Sequence, residues 1–176
     1  MAKILALDIS GNHPDLANEG VGTTGGAIQF EDGSETVFEL SAGQYTIVEH
    51  YWNAIATSIE QLKPKYLVIE GYKLYNHRGK NASMQSNSVM PTSQLLGFLR
   101  MRAWYLGIPV HIQYASDVKT RWSDEVLTEL GHFEKRGKNI YFDGQMTNPH
   151  KRDAYRHLKH FERYKLPKLE VQGETK

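Results

Sequence analysis

Two short apolar runs stand out in the N-terminal part of the chain, and each ends on a carboxylate. Ile4-Leu5-Ala6-Leu7 closes on Asp8, and Tyr66-Leu67-Val68-Ile69 closes on Glu70. Such runs, bounded by polar residues, predict buried strands over 3–9 and 66–70. Between them, 25–30 and 36–40 read as two further strands around Glu31-Asp32-Gly33-Ser34, whose Asp-Gly pair is a hairpin signal. Ser41-Ala42-Gly43-Gln44 fits a capping box. The helix it opens carries Tyr45, Val48, Trp52, Ile55, Ile59 and Leu62 at spacings of three and four, one continuous apolar stripe, and Pro64 ends it.

Beyond Glu70 the pattern predicts a polar, basic loop over 72–82 and then a helix ending near Leu106. Pro91 in that stretch is either a first-turn proline or a kink. A short strand follows over 109–113, a helix over 116–130, and a basic, glycine-containing connection over 131–147. The last helix runs from Pro149 to Tyr164, with Asn148 as N-cap and Pro149 in the first turn. Residues 167–176 read as a frayed, flexible tail. Strands joined through hairpins, followed by strand–helix–strand alternation, predict an α/β fold. Its core is a mixed sheet flanked by helices, in a single domain over 1–166. Trp104 and the other aromatics on helical stripes are expected in the core, Asp117 at a helix N-cap, and His157 on the surface.

Composition narrows the classes. Cysteine is absent, which excludes zinc-finger, disulfide and thiol-nucleophile chemistry. No apolar stretch approaches the roughly 20 residues of a membrane span. The N-terminus runs straight into a strand pattern without a signal peptide, so a cytoplasmic protein is expected. The net charge of +1 hides a division. Residues 1–72 hold three Lys/Arg against ten Asp/Glu, a net of −7, and residues 73–176 hold eighteen against ten, a net of +8. A segregated basic half attracts phosphate backbones.

The candidate chemistry lies in Asp8, Glu70 and Asp153, the last one turn into the final helix. Carboxylates at the mouths of buried strands must be paired or must bind a metal. Three that converge form an oxygen-rich site for a hard divalent cation, able to assist phosphodiester cleavage. His150 lies three residues before Asp153 and shares its helix face, so it is a fourth candidate ligand. Tyr72, Tyr75, His77, Arg78 and Lys80 interleave aromatics with cations. Aromatics of this kind stack on unpaired bases, and cations take phosphates. Lys135, Arg136, Lys138 and Arg156 are further candidates for backbone contacts.

The order of these pieces resembles the RuvC family of Holliday junction resolvases, within the ribonuclease H-like nucleases. The likeness is carried by Ile4-Leu5-Ala6-Leu7-Asp8 with Thr24-Gly25-Gly26-Ala27-Ile28, by Leu67-Val68-Ile69-Glu70, and by Leu95-Leu96-Gly97 leading to Gly107-Ile108-Pro109-Val110. Asp117-Val118-Lys119 and His150-Lys151-Arg152-Asp153-Ala154 complete it. The resemblance implies a ribonuclease H-like mixed five-stranded sheet flanked by helices. It implies two Mg²⁺ or Mn²⁺ ions held by Asp8, Glu70, His150 and Asp153, with Lys119 beside the active site. It implies a homodimer, with the helix from Pro91 to Leu106 in the contact, that cuts a four-way DNA junction in paired, symmetric nicks. In the family an aromatic just beyond the glutamate probes the junction core, a role for Tyr72 or Tyr75. Lys119, Arg121, Lys151 and Arg152 join Arg78 and Lys80 as expected DNA contacts. His150 stands where family members often carry an aspartate, a variation that occurs within the family. No nucleotide cofactor and no membrane partner are expected.

Three other readings share some of these features. A flap, branched-DNA or RNA–DNA hybrid nuclease would keep fold and chemistry but change the substrate. A phosphotransferase or ATPase of the actin and sugar-kinase type also opens on a strand with Asp and a glycine-containing turn, but it needs a duplicated domain. A non-catalytic DNA-binding module would not need the intact acidic set.

Overall fold

A computed structural model describes residues 1–16, 20–71 and 90–173. In chain order its elements are β1 (Ala2–Asp8), β2 (Thr23–Phe30), β3 (Glu35–Ser41), α1 (Val48–Leu62), β4 (Tyr66–Glu70), α2 (Pro91–Tyr105) and β5 (Val110–Gln113). There follow α3 (Ala115–Val118), α4 (Asp124–Glu129), β6 (Glu134–Arg136), β7 (Asn139–Phe142), β8 (Gln145–Met146), α5 (Pro149–Tyr164) and α6 (Leu166–Gly173). The main sheet has the order β3-β2-β1-β4-β5. β1 and β3 run antiparallel to β2, while β4 runs parallel to β1 and to β5. This is the mixed five-stranded α/β sheet that the hydrophobic pattern predicts.

The strand period of two explains how the sheet is covered. Leu5, Leu7, Leu67 and Ile69 face one side and pack with Tyr51, Ile55 and Ile59 of α1 and with Leu95, Leu99 and Ala103 of α2. Ile4, Ala6 and Val68 face the other side and pack with Ala154, Tyr155, Leu158 and Phe161 of α5. Asp8 and Glu70 continue the second series. Both strands therefore deliver their terminal carboxylate to the α5 side.

Several elements differ from the sequence pattern. Ser41 does not open the first long helix. A short 3₁₀ turn, Ala42–Gln44, intervenes, and α1 starts only at Val48. Its first N–H is capped from a distance, because Val48 N donates to Asp15 Oδ2 at 3.1 Å. The expected helix over 116–130 is two short helices. Ser123 breaks it by capping α4, accepting from Val126 N at 3.3 Å. Asp117 lies inside α3 and not at its N-cap, a position held by Tyr114. The 131–147 connection folds into a small antiparallel sheet, β6-β7-β8. Its turns place Gly137 and Gly144 at positive φ, which glycine adopts without a Cβ clash. The expected frayed tail from Pro167 is helical as far as Gly173, with Leu166 buried and Leu169 packed on the α5 cluster.

Trp104 is 74% exposed and is not a core residue. The buried face of α2 is Pro91, Leu95, Leu99 and Ala103 at a spacing of four, which turns Trp104 off the stripe. Pro91 proves to be a first-turn proline, since α2 begins on it.

The close seating of α5 on the sheet depends on Gly25. Gly25 is the cross-strand partner of Asp8. A Cβ there would lie 2.1 Å from the carbonyl oxygen of His150. The missing side chain is what lets the first turn of α5 sit over the end of β1. Gly25→Ala is expected to destabilise the fold by about 1–3 kcal/mol, the usual range for overpacking, measurable by urea unfolding. An unchanged midpoint would show that α5 can shift at no cost.

Candidate active site

The strand register sets the first two carboxylates side by side. β1 and β4 pair in parallel up to Leu7 with Ile69, and Asp8 and Glu70 are the next residues on each strand. Above them lies the first half of α5. With 3.6 residues per turn, His150, Asp153 and His157 share one face of that helix. Asn148 fixes where the helix begins by accepting from Lys151 N at 2.9 Å, and Pro149 occupies its first turn. Caps and spacing thus carry His150 and Asp153 to the strand ends.

Each carboxylate has its own basic partner. His150 Nδ1 lies 2.9 Å from Asp8 Oδ2. His157 Nε2 lies 3.1 Å from Glu70 Oε2. Asp153 receives Lys119 Nζ at 2.9 Å and is also bonded by Arg156, one turn along the helix. Arg156 in turn reaches Asp124 Oδ1 at 2.5 Å. Asp8 and Asp153 are largely withdrawn from water, with side chains 15% and 14% exposed.

The electrostatics record the crowding. Burial pushes the Asp8 carboxyl up to about 6, and the charges of Glu70 and Asp153 push the same way against the hydrogen bond from His150. Burial also acts to raise Glu70, but the hydrogen bond and charge of His157, with help from Asp8 and Lys119, bring it below its ordinary value. Asp8 therefore holds its proton more tightly than a free carboxyl does, and Glu70 less tightly. The hydrogen bond to Asp8 raises His150. The hydrogen bond to Asp153 raises Lys119, and the charges of Glu70 and Asp8 add to it. Lys119 thus feels all three carboxylates at once.

Among the described residues, no three His, Asp or Glu side chains stand close enough together to form a ready ligand set for a metal ion. Their oxygens are turned to histidine, lysine and arginine instead. The donor set nonetheless has the chemistry of a hard-cation site: three carboxylates and an imidazole. Asp8 is raised first by burial and then by the charges of Glu70 and Asp153, and a bound cation would oppose both.

His157 corrects the sequence reading. It was expected on the surface, but it is 1% exposed. It is clamped on both ring nitrogens, by Glu70 and by Gln113 Oε1 at 3.0 Å. The i+4 spacing from Asp153 was visible in the sequence. Gln113 was not singled out, and only the pairing of β4 with β5, which sets Glu70 beside Gln113, explains its part.

The expected DNA contacts divide. Tyr72, Tyr75, His77, Arg78 and Lys80 lie outside the described residues. Lys119 sits at the carboxylate cluster. Arg121 is exposed and lies over the Tyr164 ring at 5.1 Å. Lys151 and Arg152 are half-buried and engaged, Lys151 with Glu39 at 4.0 Å and Arg152 with Asp124 at 3.2 Å. Lys135 and Lys138 are exposed on the small sheet, and Arg136 there is bound to Glu134 at 2.7 Å.

No protein-family model and no curated protein matches the sequence. Solved structures do match the fold. A Thermus thermophilus RuvC in complex with a Holliday junction substrate superposes with a TM-score of 0.52 at 14% identity, over 92% of this chain and 95% of that one. A second T. thermophilus RuvC structure superposes with a TM-score of 0.51 at 13% identity, over 89% and 90%.

The pH dependence of stability follows from the two raised groups. Asp8 and His150 both hold their protons more tightly in the folded chain, so each stabilises the fold at low pH and loses that contribution as pH rises. For Asp8 the contribution is whole below its ordinary 3.8 and is gone above about 6. Urea unfolding of the metal-free protein should show this loss across that window, and Asp8→Asn should flatten it. Parallel stability curves for wild type and variant would contradict the burial of Asp8. Taken together, the five-stranded sheet and its covering helices have the fold of the RuvC resolvase structures.

Proposed function

We propose that this chain is a metal-dependent endonuclease that acts on branched DNA, with the four-way junction as its substrate. The observation that carries the reading is that Asp8, Glu70, His150 and Asp153 lie at one end of the sheet, with three partly buried carboxylates each met by a basic side chain. The fold likeness to a RuvC structure that holds a Holliday junction supports the choice of substrate.

Asp8, Glu70, His150 and Asp153 would hold two Mg²⁺ or Mn²⁺ ions. Bound there, such ions supply a nucleophile from water and neutralise charge on the phosphodiester. The protein's own residues do the rest. His157 fixes one Glu70 oxygen from a buried position, and Gln113 fixes His157. Arg156 braces Asp153 against Asp124. Lys119 is half-exposed, so its ammonium can turn from Asp153 to a phosphate and stabilise the charge that develops there. A junction offers two equivalent strands, which suits a two-fold dimer. Met101, Trp104, Tyr105 and Leu106 expose an apolar surface on and just after α2 that a second copy would cover.

The test is cleavage of an end-labelled four-way junction with Mg²⁺, beside linear duplex and a flap. Paired, symmetric nicks on the junction alone are expected. Asp8→Asn should lower the rate by about 10²-fold or more while binding persists. Cleavage that survives in Asp8→Asn would remove Asp8 from the site, and equal cutting of flap and junction would make the protein a general branched-DNA nuclease.

His157→Ala leaves all four proposed ligands in place but frees Glu70. A loss of about 10–100-fold in activity or metal affinity is expected, as for other groups that orient a ligand. Wild-type kinetics in this variant would reduce His157 to a packing residue.

A further inference from the structure

A second polar cleft opens beside α3, where β5, the end of α5 and the start of α6 meet. We propose that it binds a phosphate group outside the carboxylate cluster. Its volume is about 650 Å³, within the usual range for ligand sites. Arg121, Lys165 and Lys168 line it, together with the hydroxyls of Ser116 and Thr120. Asp117 is the one acidic residue on its wall among the described residues, and Ser116 Oγ lies 3.3 Å from its Oδ1.

Two features set this cleft apart from an ordinary basic surface. The first is the state of its cations. On α5, Lys151, Arg152, Arg156 and Lys159 are held by carboxylates, while Arg163 near its end is exposed. Arg121, Lys165 and Lys168 make no ion pair among the described residues. Arg121 is instead held against the Tyr164 ring, which leaves its guanidinium donors for an oxyanion.

The second feature is the cleft's buried nitrogens. Gln113 is 4% exposed and His160 is 8% exposed, and both line the cleft. Gln113 Nε2 and His160 Nδ1 are buried without a hydrogen-bond partner. Leaving a buried polar group unpaired is costly, so two in one wall favour a ligand that can pair with them. Burial and the charges of Arg121, His157 and Lys165 hold the His160 imidazole below its ordinary range, so it enters as a neutral ring. Three unpaired cations with amide and hydroxyl donors suit the oxygens of a phosphate. Gln113 Oε1 also accepts from His157 Nδ1, so the same residue belongs to this wall and to the hydrogen-bond chain that ends on Glu70.

The phosphate could come from a DNA strand or from a free phosphate or phosphomonoester; only the first source rests on the nuclease reading. The test uses the isotope-labelled full chain without divalent cations. It is titrated by NMR with inorganic phosphate and, separately, with a single-stranded oligonucleotide, at ionic strength matched with chloride. Saturable shifts are expected in the Gln113 side-chain amide, the His160 ring and the amides around Lys165 and Lys168. The Arg121→Gln/Lys168→Gln variant, checked for an otherwise unchanged spectrum, should bind at least about tenfold more weakly. Saturation by inorganic phosphate identifies a free anion, and saturation by the oligonucleotide alone identifies a strand phosphate. No saturable shift at these positions with either probe, or equal affinity in the variant, would overturn the proposal. If these shifts saturate but the same protein fails to cut a four-way junction with Mg²⁺, the nuclease reading falls and this site stands.

Discussion

Two neighbouring parallel strands of this protein end in carboxylates on the same side of the sheet, and everything nearby is arranged around their repulsion. Asp8 and Glu70 stand side by side because β1 and β4 pair in register as far as Leu7 and Ile69. Burial makes the repulsion expensive, since little water is left to screen it. The fold answers with bases from two other elements: His150 and His157 from α5, and Lys119 from the end of α3. These pairs are tied to further elements. His157 is fixed by Gln113 from β5, and the Asp153 end is tied through Arg156 to α4.

This constraint explains features that look unrelated. Gly25 lacks a side chain where α5 must approach Asp8. α5 buries Ala154, Tyr155, Leu158 and Phe161 on the sheet, and the same helical turn that seats them delivers His150, Asp153 and His157 to the strand ends. Packing and site are thus two faces of one helix. Histidine and lysine lower the repulsion here; the divalent cation proposed above would lower it further, with two charges at one point.

Much of this was legible along the chain. The buried strands 3–9 and 66–70 declared themselves by unbroken apolar runs, and the carboxylates at their ends by the abrupt change in polarity. Asn148-Pro149 marked the start of α5, which placed His150 and Asp153 on one face. What stayed hidden depends on contacts distant in sequence. Asp15 caps α1 from another loop, so the local Ser41 signal misled. His157 has the spacing of either a surface or a core residue, and only Glu70 and Gln113, from two different strands, decide between them. Trp104 was assigned to the core because it is aromatic, yet the four-residue spacing of Leu95, Leu99 and Ala103 already excludes it from the buried stripe.

The central proposal is that Asp8, Glu70, His150 and Asp153 bind a divalent cation. Calorimetric titration of Mn²⁺ into wild type and Asp8→Asn, in two buffers of different protonation enthalpy, tests it most directly. Saturable binding to wild type is predicted, with release of protons as Asp8 and His150 give theirs up, and binding at least about tenfold weaker in the variant. No saturable binding, or binding equal in the two proteins and without proton release, would contradict it.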